Sequence, residues 1–313
     1  MKFRSFPILF LFIFYSLSET VTAETKPLVL TSNANLLALV SEIAGSNFQV
    51  ESLAPEGADI HSHQLRPTQL RDLKSADLLI LQGMDYEKQW LDPMLKKTSF
   101  PKENIMDLSE AISVKIKNNP HYLLDPIALM EASFSLKRHL SQRWPKYQKD
   151  LDKNQNQFVS NLKTHLRRWE VALKKSSISQ VITAHGSADY FFKRFKINVI
   201  DHIEKTEGVQ PSLGHIQNII DQVKKGTVVV IWDSTHTPPS SLERIQQQTK
   251  KTVLKIPTEI DTQHEIKTPI QLLDQLVKAL ANHRRVSFKA GQISLCLIKH
   301  AIQSPLRLYV HIE

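Results

Sequence analysis

Over residues 27–110 the apolar positions fall in short Leu-rich or β-branched runs, separated by stretches with helical spacing. Strands are expected over 27–32, 48–53 and 76–81, the second running into the turn Pro55-Glu56-Gly57 and the third stopped by Gly83. Helices are expected over 35–44 and 67–73. Strand and helix in alternation predict βα units around a largely parallel sheet.

From Pro126 the period changes. A helix fits 127–143 and is interrupted at Trp144-Pro145, where proline suits the first turn of a new helix. Beyond it Tyr147, Leu151, Phe158, Leu162, Leu166, Trp169 and Leu173 recur at largely helical intervals with no Gly or Pro between them. That stretch predicts one helix of roughly 40 Å. Either it joins two α/β lobes and restrains their movement, or it forms a helical hairpin inside a single domain. The α/β rhythm then returns, with strands expected over 178–184, 198–200, 227–232 and 253–256 and helices over 187–194, 213–223, 240–250 and 269–280. The expected fold is therefore α/β, with two Rossmann-like lobes of mainly parallel sheet joined by one long rigid linker helix. Its expected divisions are an N-terminal lobe over 24–144, the linker helix over 145–174 and a C-terminal lobe over 175–282. The tail over 283–313 matches neither period and has no evident task.

The first 23 residues differ from the rest. Lys2 and Arg4 precede an apolar run from Pro7 to Leu17, and Val21-Thr22-Ala23 offers small residues to a signal peptidase. A signal peptide over 1–23 and export to the periplasm are expected. An apolar run of about 11 residues is short for a membrane span, which leaves an uncleaved anchor as the alternative. The single cysteine is Cys296, so no intrachain disulfide forms. With no cysteine at the cleavage position, a protein without a lipid anchor is expected. The net charge of +9 comes from Lys and Arg scattered among Gln and Asp, without a basic block or interleaved aromatics. It reads as a solvated surface, not a nucleic-acid face.

Three histidines change the picture. His61, His121 and His185 each follow an apolar run or a Pro-rich turn, the places where an α/β protein gathers side chains into a cleft. Three neutral imidazoles converging there make a site for a borderline metal, zinc first.

The residues around them form recognisable motifs. Pro55-Glu56-Gly57-Ala58-Asp59-Ile60-His61 is similar to a P-x-G-x-D-P-H ligand loop, with Ile60 replacing the proline. Gly83 to Leu91 is similar to a G-x-x-x-E-x-W-L segment, and Asn119-Pro120-His121-Tyr122-Leu123-Leu124-Asp125-Pro126 to N-P-H-x-W-L-D-P. His185 precedes Tyr190-Phe191, and Glu207 to Ser212 resembles an E-P-S turn. Together, from about residue 27 to 280, the chain resembles the cluster A-I, ZnuA/TroA-like substrate-binding proteins of bacterial metal ABC transporters. The resemblance implies a monomeric, non-enzymatic receptor that captures Zn(II) between its lobes and delivers it to a membrane permease with a cytoplasmic ATPase. His61, His121 and His185 would be ligands, and a histidine at the third position implies zinc over Mn(II). The chain itself has no G-x-x-x-x-G-K-[ST] phosphate loop.

The fourth ligand is where the chain departs from the family. The run Asp233-Ser234-Thr235-His236-Thr237-Pro238 puts Thr237 where many members carry a ligand Asp. Three completions are open: His236, Asp233, or water. Glu207 is a candidate acceptor orienting His185 or His61, or else a surface residue. His63 is a candidate entrance ligand, or else a supporting or exposed residue. Asp125 is expected to cap the helix beginning at Pro126, and His202, His215 and His264 to lie on the surface. Residues 96–118 lack the His-rich loop of many zinc-specific members. A metal hydrolase would be the rival enzyme, but no H-E-x-x-H segment is present. The remaining alternatives are a divergent receptor for Mn(II) or another divalent cation, and an adhesin or structural protein on the same fold.

Overall fold

The computed structural model describes residues 25–58, 63–176, 178–206, 209–226, 228–233 and 240–283. The first sheet holds β1 (Leu28–Thr31), β2 (Gln49–Ser52), β3 (Leu78–Leu81) and β4 (Ile105–Asp107), in the order β2-β1-β3-β4. The second holds β5 (Gln180–Thr183), β6 (Asn198–His202), β7 (Val229–Asp233) and β8 (Val253–Ile256), in the order β6-β5-β7-β8. Every pairing is parallel, and the two orders are the same winding repeated. The helices are α1 (Ala34–Ala44), α2 (Pro67–Ser75), α3 (Asp92–Thr98), α4 (Pro126–Arg143), α5 (Gln148–Lys174), α6 (Asp189–Arg194), α7 (Leu213–Lys225), α8 (Ser240–Thr249) and α9 (269–283).

Period-two alternation gives each central strand two apolar faces. Val29, Leu78 and Ile80 point into the core shared with α1, α4 and α5, whereas Leu30 and Leu79 point to a second cluster with Leu73, Trp90 and Leu91. In the second sheet Val181 and Ile231 join the shared core, while Ile182, Val230 and Trp232 pack with Ile216, Ile219 and Ile245. Each such side chain contributes about 1.5–3 kcal/mol when fully buried. The shared core is continuous from Val29 in the first sheet to Leu280 in α9, so it runs through both lobes.

The long helix contributes to it from Leu151 to Leu173. Pro145–Tyr147 form a 3-10 turn, and α5 proper then runs 27 residues. Its buried residues Leu151, Phe158, Val159, Leu162, Trp169 and Leu173 make one stripe, as the 3.6-residue period requires. At the far end the Trp169 indole N–H donates to Asp274 of α9 at 2.6 Å. The sequence pattern missed β4, whose three residues are too few to show an alternation.

Candidate metal centre

In an open parallel sheet the crevice lies at the carboxyl ends of the strands, where the winding reverses. Here the reversals fall between β1 and β3 and between β5 and β7, and the two sheets turn these ends towards each other. After β1, Asn33 caps α1 through its Oδ1, which accepts the Leu36 N–H at 2.9 Å. After β3, the buried Gln82 makes the cross-connections that hold the His121 loop. Its side-chain amide donates to the Pro120 carbonyl, its Oε1 accepts from Asn33 at 3.1 Å, and its carbonyl accepts the Tyr122 hydroxyl at 2.7 Å. Beneath it the Glu87 carboxylate accepts the N–H groups of Gln82 at 2.7 Å and Gly83 at 3.1 Å. Burial pushes that carboxyl up to about 7, against the pull of Ser32 and these backbone donors.

From the other side, β5 ends at Thr183 and delivers His185, which is 7 % exposed. The rings of His121 and His185 stand 6.3 Å apart between centroids, inclined at 65°. A ring centroid lies about 3.2 Å from a metal bound in line with its nitrogen, so two imidazoles on one tetrahedral zinc have centroids about 5.2 Å apart. The observed separation is about 1 Å wider than that, a difference that small turns of the two rings about their side-chain bonds take up.

Behind His185 lies a polar chain where surface histidines were expected. The His202 ring accepts or donates at Thr183 Oγ1 (2.7 Å) and stands 3.3 Å from the Asp189 carboxylate, while His215 Nε2 meets the His202 carbonyl at 2.8 Å. His264 does lie at the surface, paired with Asp261 at 2.6 Å.

Three of the other candidates, His61, Glu207 and His236, lie outside the described residues, as do Cys296, the signal segment over 1–23 and the tail beyond residue 283. His63 sits edge-on to Trp90, ring centroids 5.1 Å apart, with its Nε2 buried and without a hydrogen-bond partner. Asp233 is buried at the end of β7 and its Oδ2 accepts the Thr258 hydroxyl. Asp125 caps α4, accepting the Ile127 N–H at 2.9 Å, and also receives a two-pronged contact from Arg194 of α6. Among the described residues, no three His, Cys, Asp or Glu side chains gather closely enough to hold a metal by themselves.

One residue escaped the sequence reading. Glu259 follows β8 and lines the same crevice as His121, with Tyr86 and Asn35. Its position just past a strand's carboxyl end was the signal that could have found it.

Two like-wound lobes that share one long helix and face each other across a histidine-bearing crevice define a two-lobed substrate-binding protein. Residues 29–283 match the family model described as zinc-uptake complex component A, periplasmic, and the chain belongs to that ZnuA/TroA-like family of periplasmic metal-binding proteins. A putative metal-binding protein of Thermotoga maritima is 29 % identical over 224 residues, covering 71 % of this chain and 80 % of that one. The iron ABC transporter substrate-binding lipoprotein MtsA of Streptococcus pyogenes serotype M1 is 23 % identical over 258 residues, covering 72 % and 83 %. Among solved structures, ZnuA superposes with a TM-score of 0.72 at 21 % identity, covering 82 % of this chain and 99 % of that one. FpvC of Pseudomonas aeruginosa in complex with Ni²⁺ superposes at 0.71 and 20 %, covering 82 % and 97 %.

The relatives correct one expectation. MtsA is a lipoprotein, as is ScbA of Streptococcus cristatus, so the exclusion of a lipid anchor does not stand. The chain's one cysteine, Cys296, is remote from the N-terminal segment.

Proposed function

We propose that this chain is a receptor that takes a divalent transition-metal ion into the interlobe crevice and delivers it to an ABC permease driven by a cytoplasmic ATPase. The observation that carries this is the His121–His185 pair, presented from opposite lobes at 6.3 Å. Metal bound there is held by side chains of both lobes, so the loaded crevice presents a membrane partner with a surface the empty one lacks. His61 supplies the third imidazole, and Glu259 is the fourth ligand in preference to His236, Asp233 or water. Glu259 borders the crevice beside His121 just past the carboxyl end of β8, whereas Asp233 is buried at the end of β7.

A set of three imidazoles and one carboxylate suits zinc, and it also accommodates the harder Mn(II) and Fe(II) better than imidazoles alone. Relatives widen the range in the same sense: the family description speaks of zinc uptake, MtsA of iron, and FpvC has been seen with Ni²⁺ and with Mn²⁺. The cargo is accordingly a first-row divalent ion, with Zn(II) one member of the accepted set and not its sole member.

Competitive titration of the metal-stripped protein with Zn(II), Mn(II), Fe(II) and Ni(II) tests this. One equivalent of at least two of these ions should bind, with His185→Ala abolishing tight binding and Glu259→Ala weakening it. Failure of all four to bind at one equivalent would refute the receptor reading. Binding of zinc alone would refute the broad specificity.

A further inference from the structure

Two asparagine carboxamides cross between the lobes, and each fastens the backbone beside a residue of the metal centre. Asn119, 7 % exposed, accepts the His121 N–H on Oδ1 at 3.0 Å and donates from Nδ2 to the Gly186 carbonyl at 2.7 Å. Gly186 directly follows His185. A single carboxamide thus ties the main chain of one imidazole to that of the other. The Tyr190 hydroxyl holds the loop in place, donating to the Asn119 carbonyl at 3.1 Å and accepting the Ile116 N–H at 2.7 Å. Space is made for the contact at Gly186, where a Cβ would stand 3.0 Å from Asn119 Nδ2 and 3.0 Å from the Asp189 carboxylate.

The second carboxamide does the same for Glu259. Asn35, in the first turn of α1, donates from Nδ2 to the Thr258 carbonyl at 3.2 Å and accepts the Ile260 N–H on Oδ1 at 2.8 Å. These are the backbone groups on either side of Glu259, so the side chain of Asn35 pairs with that segment much as a neighbouring strand would. Beside it Glu56 accepts both the N–H and the hydroxyl of Thr262 at 2.9 Å.

We propose, on the footing of the receptor reading above, that Asn119 and Asn35 are positioning residues that set the metal-competent spacing between the lobes without touching the metal. Asn119 fixes the separation of His121 and His185, and Asn35 fixes the reach of Glu259. The chemistry explains the residue type, because each position needs a donor and an acceptor on one short, rigid side chain. Aspartate can only accept, and alanine does neither. Supporting groups that orient ligands in this way typically carry about 10–100-fold in metal affinity.

The test compares wild type with Asn119→Ala, Asn119→Asp and Asn35→Ala in the full chain, using Zn(II) for affinity and Co(II) as a spectroscopic probe. Asn119→Ala should weaken Zn(II) binding by about tenfold or more and change the intensity and position of the Co(II) visible bands. Asn119→Asp keeps the acceptor for His121 but sets a carboxylate against the Gly186 carbonyl, so it should lose at least as much. Asn35→Ala should weaken binding in wild type and add little when Glu259→Gln is already present, since it acts through that residue. Should Asn119→Ala fail to fold, the Asn35 pair of measurements decides alone. Wild type binding both ions while the variants bind within twofold and share its Co(II) spectrum would overturn the positioning role and leave the receptor reading intact. A fall in Tm with affinity and spectrum unmoved would overturn it too. Absence of stoichiometric Zn(II) and Co(II) binding by wild type would remove both.

Discussion

Arg194→Ala probes a two-pronged polar link between the lobes. Arg194 Nε and an Nη donate to the two oxygens of Asp125 at 2.8 and 2.7 Å, a fork-to-fork contact. The carboxylate is 5 % exposed at its side chain, the guanidinium 32 %. Removing the guanidinium leaves Asp125 buried, with the Ile127 N–H still donating to it. Breaking a fully buried pair from one side costs about 3–5 kcal/mol. Water reaches the open side of Arg194 and screens part of this, so the expected loss is about 2–3 kcal/mol. For a chain of this size that corresponds to a drop in Tm of roughly 4–10 °C. Asp125→Ala should cost about 1 kcal/mol more, because the N-cap of α4 goes with it. Differential scanning calorimetry of the metal-free protein measures both. A shift below about 1 °C for Arg194→Ala, or an Asp125→Ala no worse than Arg194→Ala, would refute the account.

Glu87 gives a pH dependence whose sign is fixed by its raised pKa. The folded protein holds this proton up to about 7 and the unfolded chain only to 4.5, so the contribution of Glu87 to stability is full below 4.5 and is lost as pH rises through 7. The change is about 3 kcal/mol, and Tm measured from pH 5 to 8 should fall less steeply in Glu87→Gln than in wild type; parallel curves would refute it. Two glycines with left-handed backbone separate strain from collision. Gly83 has φ +79° and a Cβ there would strike Asp107 and come within 2.5 Å of Ser109 Oγ, whereas Gly57 has φ +68° and open space. Gly83→Ala should cost more than about 3 kcal/mol and Gly57→Ala about 1 kcal/mol, read from urea unfolding; equal costs would show that the Asp107 contact carries nothing.

Much of the architecture was legible because it rests on short-range periodicity. The runs at 28–31 and 78–81 are buried on both faces and read as apolar blocks, and α5 shows its stripe over seven turns. What stayed hidden depends on which segments meet. β4 exists because Ile105, Met106 and Asp107 pair with β3, a fact no three-residue pattern carries. His202 and His215 read as surface residues because their partners, Thr183, Asp189 and the His202 carbonyl, come from other elements. Glu259 sits in Pro257-Thr258-Glu259, which looks like any polar turn until Asn35 fastens it from the other lobe. The histidine pair was legible in kind; its separation required the fold.

The continuous core has a consequence for the order in which the chain is made. The first sheet is complete at Asp107, yet Val29, Leu78 and Ile80 share their cluster with residues of α4 and α5 as far on as Leu173. A nascent chain that has produced the whole first sheet therefore still lacks the later helices that complete this core. Closure reaches its last members only with Leu273, Leu276 and Leu280 of α9, close to the end of the described chain. Domains with separate cores fold one after another as they emerge, each independent of the residues still to be synthesised. Here the two lobes share one cluster, so removing α9 takes away part of a core on which the first lobe also draws.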